Sequence, residues 1–338
     1  MAEMGLADLH HRVVETEATV RGYERGLVEL AERGVDVLVM DADLGAAGGT
    51  GEFRKRFPDR FMEFGLSEQD MLGTAAGLAQ AGHVVFVTAH GMLAAANAWD
   101  VIRSTICTAS LKVVVCGIDA GFSSGGDGCA RQSLEDVAVM RALPGMTVIV
   151  PVDAVEARKA TVAAARIPGP VYVRFATSRT PVVTTDMTPF TVGQGAVYRQ
   201  GEDATVMACG VMVYEALRAA RQLEDGGLSV RVVNCPTIKP LDRAIVNRAA
   251  VETGALVTAE EGSTIGGLGG AVAEALAQSP RPSPLRIMGI EDRFGESGDH
   301  EQLLSHFGLS AREIVSSVKD VVARKRAIAA GTDAGGTT

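Results

Sequence analysis

The sequence has few aromatic residues and no cluster of basic ones. Aromatic side chains make up 4% of the 338 residues, with a single tryptophan, so we expect helices that pack through alanine, valine, leucine and glycine. The 41 acidic residues outnumber the 32 lysines and arginines, which gives a net charge of −9. Because binding to a phosphate backbone needs a basic patch, these features exclude a nucleic-acid partner.

Metal-binding patterns and long apolar runs are also missing. The five cysteines are odd in number and have no metal-ligand spacing, which is typical of reduced, mostly buried thiols. The six histidines form no ligand cluster, so no metal site is predicted. No run has the length needed to cross a membrane, and the first 25 residues carry acids where a signal peptide has an apolar core. We therefore expect a cytoplasmic protein that does not enter a membrane.

The chain instead has a high apolar content, with 47% hydrophobic and only 22% charged residues. Its length suits two domains that each bury a core. In the first half, β-branched runs alternate with helical patterns. The predicted strands are 35–41, 83–88, 112–117, 146–150 and 171–175, and the predicted helices are 20–33, 72–81, 96–106, 134–141 and 155–165. This alternation indicates a parallel sheet covered on both faces.

A segment rich in threonine and proline, 177–190, is predicted to link this domain to a second one. After it the predicted strands are 204–208, 229–233, 255–260 and 285–288, and the predicted helices are 213–223, 243–250, 269–277 and 311–323. The predicted fold class is α/β, with two doubly wound, mostly parallel-sheet domains. They cover residues 12–184 and 191–325, and a disordered tail covers 326–338.

Residues 64–71 (FGLSEQDM) place a carboxylate, Glu68, at the start of a helix in an otherwise apolar segment. Two interpretations are open. Ser67 is a good N-cap residue, Asp70 follows it three residues on, and Glu68 would complement the helix dipole, which favours a structural role. An acid in apolar surroundings can instead act as a proton-sharing group, which favours a chemical role.

Two glycine-rich segments follow predicted strands, at the edge where ligand pockets of such sheets open. Residues 121–132 (GFSSGGDGCARQ) form either a long connection only or a loop whose backbone approaches a ligand. Residues 266–270 (GGLGG) do not complete a dinucleotide fingerprint, because Val272 occupies the third glycine position, and close helix packing explains them better. No Walker sequence supports ATP chemistry.

Six motifs occur in an order that resembles the transketolase family, specifically its C-terminal half as found in split, two-subunit members. They are 41–44 (DADL), 64–69 (FGLSEQ), 125–128 (GGDG) with Gln132, 141–146 (RALPGM), 266–269 (GGLG) and 294–298 (FGESG). The resemblance covers residues 20–322. It implies a pyrimidine-binding domain for thiamine diphosphate, followed by a C-terminal domain of largely structural role.

The resemblance assigns four residues to the cofactor. Glu68 matches the acid that hydrogen-bonds the aminopyrimidine ring and tunes the cofactor by sharing a proton. Asp43 is assigned to the same site. His90 stands where the family usually stacks a phenylalanine on the pyrimidine, and Leu93 stands where a second aromatic residue is common. An imidazole can still stack on such a ring.

The resemblance also implies a partner chain. The other half of the family holds magnesium and the diphosphate through Gly-Asp-Gly and a downstream asparagine. Residues 126–128 look similar, but the three asparagines, Asn97, Asn234 and Asn247, are not suitably placed. We therefore expect a heteromer with an N-terminal, diphosphate-binding transketolase subunit, arranged as a two-plus-two heterotetramer.

Substrate-binding positions depart from the family pattern. Asp119 replaces a phosphate-binding histidine, Thr177 replaces an arginine, and Ala47 replaces a serine. Arg179, two residues beyond the usual arginine, could partly replace it. Losing two cations and a hydroxyl while gaining a carboxylate disfavours a dianionic phosphate.

Two further residues are assigned to substrate. Arg131 stands where the family has a histidine that contacts substrate hydroxyls, and Asp127 lies in the same loop. Asp119 and Arg131 either pair with each other or contact substrate directly.

The predicted function is that of one chain in a thiamine diphosphate-dependent, transketolase-like transferase that is active only with its partner subunit. It would move a two-carbon ketol unit to an unphosphorylated sugar or to a carrier-bound thiol, as in natural-product assembly lines. Two alternatives are open: the β subunit of a 2-oxoacid dehydrogenase, and a non-catalytic paralogue that stabilises a partner.

Overall fold

The computed structural model describes residues 5–7, 14–45 and 47–331. The strands are β1 (Thr16–Ala18), β2 (Val37–Asp41), β3 (Phe61–Glu63), β4 (Val84–His90), β5 (Val113–Ile118), β6 (Thr147–Ile149), β7 (Val171–Arg174), β8 (Arg179–Pro181), β9 (Ala196–Arg199), β10 (Ala204–Ala208), β11 (Val230–Asn234), β12 (Thr237–Lys239), β13 (Leu256–Ser263) and β14 (Leu285–Ile290). The helices are α1 (Thr19–Glu32), α2 (Gly51–Arg56), α3 (Glu68–Gln80), α4 (Gly91–Ala95), α5 (Trp99–Val101), α6 (Asp136–Arg141), α7 (Ala154–Ala164), α8 (Met212–Asp225), α9 (Arg243–Glu252), α10 (Leu268–Ala277), α11 (His300–His306) and α12 (Ala311–Ala329).

The first sheet has seven strands in the order β12-β6-β7-β5-β4-β2-β3, and all its pairings are parallel except that of β12 with β6. Its strands are apolar on both faces. Val114 points to the layer that contains α1 and α7, while Val113 and Val115 pack with α3 on the other side. The β-branched runs therefore form buried parallel strands, as the sequence predicts.

The second sheet has five strands in the order β14-β13-β10-β11-β9, with β9 antiparallel to β11. Helices α8 and α12 pack on one face, and α9 and α10 pack on the other. The predicted α/β class with two mostly parallel sheets is confirmed. Strand β12 comes from the second half of the chain but forms an edge of the first sheet, so the two halves of the chain are joined there. The boundaries 12–184 and 191–325 stay a prediction, and residues 12 and 13 lie outside the described part.

Two predicted segments differ from the structure. Of the helix predicted over 96–106, residues 96–98 form a turn, and only α5 and a π-helical turn, Ile102–Cys107, follow it. A tertiary bond holds this turn: Gln69 Nε2 donates to the Asn97 carbonyl at 2.7 Å. The predicted linker 177–190 contains β8, which pairs with β1 in a two-stranded antiparallel sheet.

The predicted tail begins inside α12. This helix continues to Ala329 because residues 324–329 are good helix formers that follow the buried Val321 and Val322. Residues 332–338 of the predicted tail lie outside the described residues.

The composition-based expectations about thiols hold. Four of the five cysteines are free and buried, and Cys129 is free and exposed. Within residues 14–45 and 47–331, no helix is long and apolar enough to cross a membrane.

Candidate functional site

The carboxyl ends of β2, β4 and β5 meet at one edge of the first sheet. The register between β4 and β5 pairs His90 with Ile118, so Asp119, the residue after β5, lies beside His90. Parallel sheets of this kind bind ligands at that edge. Asp43 follows β2 at the same edge. Strand topology alone therefore brings three predicted site residues, Asp43, His90 and Asp119, to this edge.

Glu68 is the first residue of α3 and is only 4% exposed. Its Oε1 is buried and has no hydrogen-bond partner among the described residues. The described residues give little support to the capping interpretation, because the Ser67 side chain makes no capping bond there and Asp70 is exposed. Since a buried acceptor without a partner costs stability, this arrangement fits an acid that receives a hydrogen bond from a bound molecule.

His90, Asp119 and Arg131 form one chain of contacts. His90 Nδ1 lies 2.6 Å from Asp119 Oδ2, and the Arg131 guanidinium contacts His90 Nε2. Because a guanidinium can only donate, Nε2 accepts from Arg131. The ring of His90 is thus fixed from both sides. Asp119 and Arg131 form no direct ion pair in the described structure, because His90 lies between them.

Asp119 holds a negative charge at this edge. The Thr177 hydroxyl donates to its Oδ1 at 2.5 Å. Burial would raise the pKa of Asp119, but the contacts with His90 and Thr177 and the charge of Arg131 outweigh it and lower that pKa. The backbone φ of Asp119 is +63°, a left-handed conformation that residues other than glycine rarely adopt. Strain of this kind clusters at functional sites.

Asp43 lies in a loop that a buried neighbour shapes. Asp41 accepts from the Leu44 N–H at 2.6 Å and from the Thr50 hydroxyl, and burial raises its pKa. Asp43 itself is exposed, has a φ of +62°, and donates its backbone N–H to Glu63 Oε1 at 2.9 Å. The bonds that hold the loop therefore use the backbone of Asp43 and not its carboxylate.

The other predicted residues are less closely gathered. Leu93 lies half-buried on α4, the helix that begins directly after His90. Asp127 is exposed on a 3₁₀ turn within the loop 119–132. Arg179 is exposed on β8 and donates to Thr16 Oγ1 at 3.2 Å, and no described contact joins it to the cluster around Asp119. The structure thus does not bring Arg179 to the position of the missing arginine.

Sequence reasoning overlooked two acids near this edge. Glu63 ends β3 and accepts a hydrogen bond from the backbone of the loop after β2. Its position at the end of a short apolar run could have marked it as a candidate site residue. Glu261 reaches the loop 119–132 from β13, where its Oε1 accepts from the Phe122 N–H at 2.8 Å. The adjacent pair Glu260 and Glu261 inside an apolar strand was a signal for buried acids.

The described part of the chain contains no group of three His, Cys, Asp or Glu side chains that could hold a metal ion. Asn234, the asparagine nearest to a buried acid, is engaged elsewhere: its Nδ2 donates to Glu156 at 2.8 Å and to Tyr198 at 2.9 Å. Glu68 Oε1, a buried acceptor without a partner among the described residues, fits the pyrimidine end of a thiamine cofactor.

Two mostly parallel sheets in tandem, each covered by helices on both faces, define a two-domain α/β protein, and the buried Glu68 at the ligand edge of the first sheet has an Oε1 without a partner among the described residues. The family model for the transketolase pyrimidine binding domain matches residues 16–182, and that for the transketolase C-terminal domain matches residues 193–314. The chain belongs to the transketolase family, whose pyrimidine-binding domain is thiamine diphosphate-dependent. The predicted resemblance is confirmed.

Several similar proteins are described as a C-terminal section or a subunit of a transketolase. A putative transketolase C-terminal section of Methanocaldococcus jannaschii is 39% identical over 302 residues, which are 89% of this chain and 95% of that protein. The 6-deoxy-6-sulfo-D-fructose transketolase subunit SqwH of a Clostridium species is 40% identical, over 88% of this chain and 92% of its own. One subunit of the apulose-4-phosphate transketolase of Phocaeicola vulgatus is 34% identical, over 88% of this chain and 95% of its own.

A solved structure agrees with these relatives. A split-gene transketolase, described as an inactive β4 tetramer, superposes with a TM-score of 0.84 at 40% identity. The match covers 92% of this chain and all of that one.

Proposed function

We propose that this chain is the pyrimidine-binding subunit of a two-component, thiamine diphosphate-dependent transferase that moves a two-carbon ketol unit. The observation that carries the proposal is Glu68, a buried acid whose Oε1 has no partner among the described residues. When bound, thiamine diphosphate supplies the carbon nucleophile for such a transfer. Glu68 would hydrogen-bond the aminopyrimidine ring and hold the shared proton.

The neighbouring residues would seat the same ring. His90 is the proposed stacking partner, and its imidazole is oriented by Asp119 on one side and Arg131 on the other. Leu93 and Asp43 complete the proposed pyrimidine site. An oriented ring loses little freedom when a ligand stacks on it, so a fixed histidine is a suitable substitute for a phenylalanine.

Activity would require a second chain. The described residues offer no group of three side chains for a metal ion, and several relatives are named as a C-terminal section or a subunit. An assembly of two such chains with two partners would place each cofactor between polypeptides. The similar split-gene chain, which is inactive as a β4 tetramer, is consistent with this requirement. We place the complex in the cytoplasm.

The proposed acceptor is an unphosphorylated sugar or a carrier-bound thiol. Asp119 is ionised and hydrogen-bonded to Thr177, at positions where the family has phosphate-binding cations. Two relatives are named for a sulfonated and a phosphorylated sugar. A carboxylate in this pocket repels such anionic ends, so we assign this chain a different acceptor.

The reaction type is tested by supplying the reconstituted two-chain complex with a ketose donor, an aldose acceptor, thiamine diphosphate and magnesium. We expect the acceptor to gain two carbons without release of carbon dioxide. Release of carbon dioxide from a 2-oxoacid, with transfer to a lipoyl group, would identify the dehydrogenase reaction instead. A complex that processes neither substrate would support a non-catalytic role.

The acceptor proposal is tested by comparing kcat/KM for a free sugar, its phosphate ester and a carrier-bound thiol. We expect the phosphate ester to be the poorest of the three. A strong preference for the phosphate ester would refute this part of the proposal and leave the transfer chemistry intact.

A further inference from the structure

The loop 119–132 is held at three places by the second half of the chain. Glu261 on β13 accepts from the Phe122 N–H at 2.8 Å. The Gly298 N–H donates to the Gly125 carbonyl at 3.0 Å. Gln132 Nε2 donates to the Glu296 carbonyl at 2.8 Å. The loop that carries the proposed substrate residues is therefore shaped by the second domain as well as by its own.

Glu261 is the charged member of these contacts. It is 6% exposed, and the same Oε1 that accepts from Phe122 also accepts from His300 Nε2 at 2.8 Å. Burial would raise the pKa of Glu261, but the charge of His300 and its hydrogen bond outweigh burial and lower that pKa. Burial likewise would lower the pKa of His300, and Glu261 raises it. The two side chains form a buried, hydrogen-bonded pair.

A glycine in the loop leaves space for the Glu261 carboxylate. Gly121 has a φ of +57°, and a Cβ at that position would lie 2.3 Å from the carboxyl carbon of Glu261. Only glycine allows the acid to approach this closely.

Arg174 also connects the loop to the strand that carries Glu261. Its Nη1 donates to the Glu261 carbonyl at 2.8 Å, and its Nη2 contacts the Ser133 carbonyl just beyond the loop.

We propose that the Glu261–His300 pair positions the loop 119–132 for the acceptor, so that the second domain takes part in substrate recognition. This inference rests on the proposed function. Asp119 lies at one end of the loop, and Arg131 lies near the other end and reaches His90. Phe122 lies between Asp119 and Arg131 in the chain, so holding its backbone determines how the loop runs from Asp119 to Arg131. Glu261 is a positioning residue, because it contacts the loop backbone and not the reacting atoms.

The kinetic consequence is a loss of preorganisation. Without Glu261 the Phe122 N–H loses its acceptor, and the loop must be ordered by the substrate itself. We expect Glu261→Ala to raise the KM for the acceptor about tenfold, while kcat changes less than about threefold. Glu261→Gln should restore most of the wild-type KM, because its amide oxygen can still accept from both donors.

Glu260 provides the matched control. It is adjacent in sequence and also buried, but its carboxylate accepts from Leu268 and Gly269 at the start of α10 and does not contact the loop. Glu260→Ala should lower the denaturation midpoint without changing the KM for the acceptor. If Glu261→Ala does not fold, His300→Ala is the second variant, since it removes the side chain that holds the Glu261 carboxylate beside Phe122. It should raise the acceptor KM and the amide exchange of residues 119–132 in the same direction.

Hydrogen exchange of the full-length chain gives a readout independent of activity. In Glu261→Ala, amide exchange in the peptide covering 119–132 should rise about tenfold or more, and it should be unchanged in Glu260→Ala. Unchanged exchange and an unchanged acceptor KM in an active complex would overturn the inference. Absence of ketol transfer by the wild-type complex would instead refute the proposed function, while the exchange data would still decide whether Glu261 fixes the loop.

Discussion

Replacing Glu68 by glutamine separates a chemical acid from a helix cap. Glutamine keeps the shape and removes the charge. If Glu68 served the helix dipole, its loss would cost about 0.3–1 kcal/mol of stability. Because its Oε1 is instead buried without a partner in the described structure, an unmet acceptor already costs roughly 1–3 kcal/mol. Because glutamine fills the same space and also leaves a buried polar atom without a partner, the Glu68→Gln chain should be about as stable as the wild type.

The same substitution should remove activity. Loss of a positioned acid or base typically lowers turnover by about 10²–10⁴-fold. The assay pairs urea denaturation of the isolated chain with turnover of the reconstituted complex. Asp70→Asn is the control, because Asp70 lies in the same helical turn and is exposed; it should reduce stability slightly and leave turnover intact. A Glu68→Gln chain that loses about 0.3–1 kcal/mol of stability and stays active in the complex would refute the reasoning.

Three further predictions concern charge, pH and packing. Asp119→Asn should raise kcat/KM for a phosphorylated acceptor, relative to its free sugar, roughly tenfold, because it removes a repelling charge; an unchanged ratio would contradict the proposed acceptor. Burial, reinforced by a neighbouring carboxylate, raises the pKa of Glu156 to about 8 from its ordinary 4.5. Between pH 5 and 8 the folded chain thus keeps a proton that the unfolded chain releases. The free energy of unfolding should therefore fall by roughly 1 kcal/mol for each pH unit in this range. In urea titrations, Glu156→Gln should flatten that slope. Gly117→Ala should lower stability by about 3 kcal/mol, since its Cβ would lie 2.1 Å from Tyr172 Oη, whereas Gly73→Ala, with nothing within 4 Å, should not.

The long buried strands and most helices were predictable because their signals are local. Runs such as Val113–Ile118 are apolar throughout, which is typical of a strand covered on both faces. The short strands β1, β8 and β12 were missed because each exists only through a partner distant in sequence: β12 lies nearly ninety residues beyond β6. The break in the helix predicted over 96–106 has the same origin, since a side chain from α3 bonds the backbone there.

The site was predictable where chain position alone determines proximity. Residues that end or follow parallel strands meet at one edge, which placed His90 beside Asp119. The arrangement of Arg131 was not predictable, because its contact with His90 depends on the path of a long loop that the second domain holds. The position of Arg179 was not predictable for a related reason: β8 pairs with β1, and this pairing places Arg179 beside Thr16.

The central claim is that this chain holds one half of a shared thiamine site. It is tested most directly by measuring ketol transfer while the diphosphate-binding partner is titrated against a fixed amount of the chain, with thiamine diphosphate and magnesium in excess. The account predicts no turnover without the partner and saturation at one partner for each chain. Full turnover by the isolated chain, at the rate of the mixture, would contradict it.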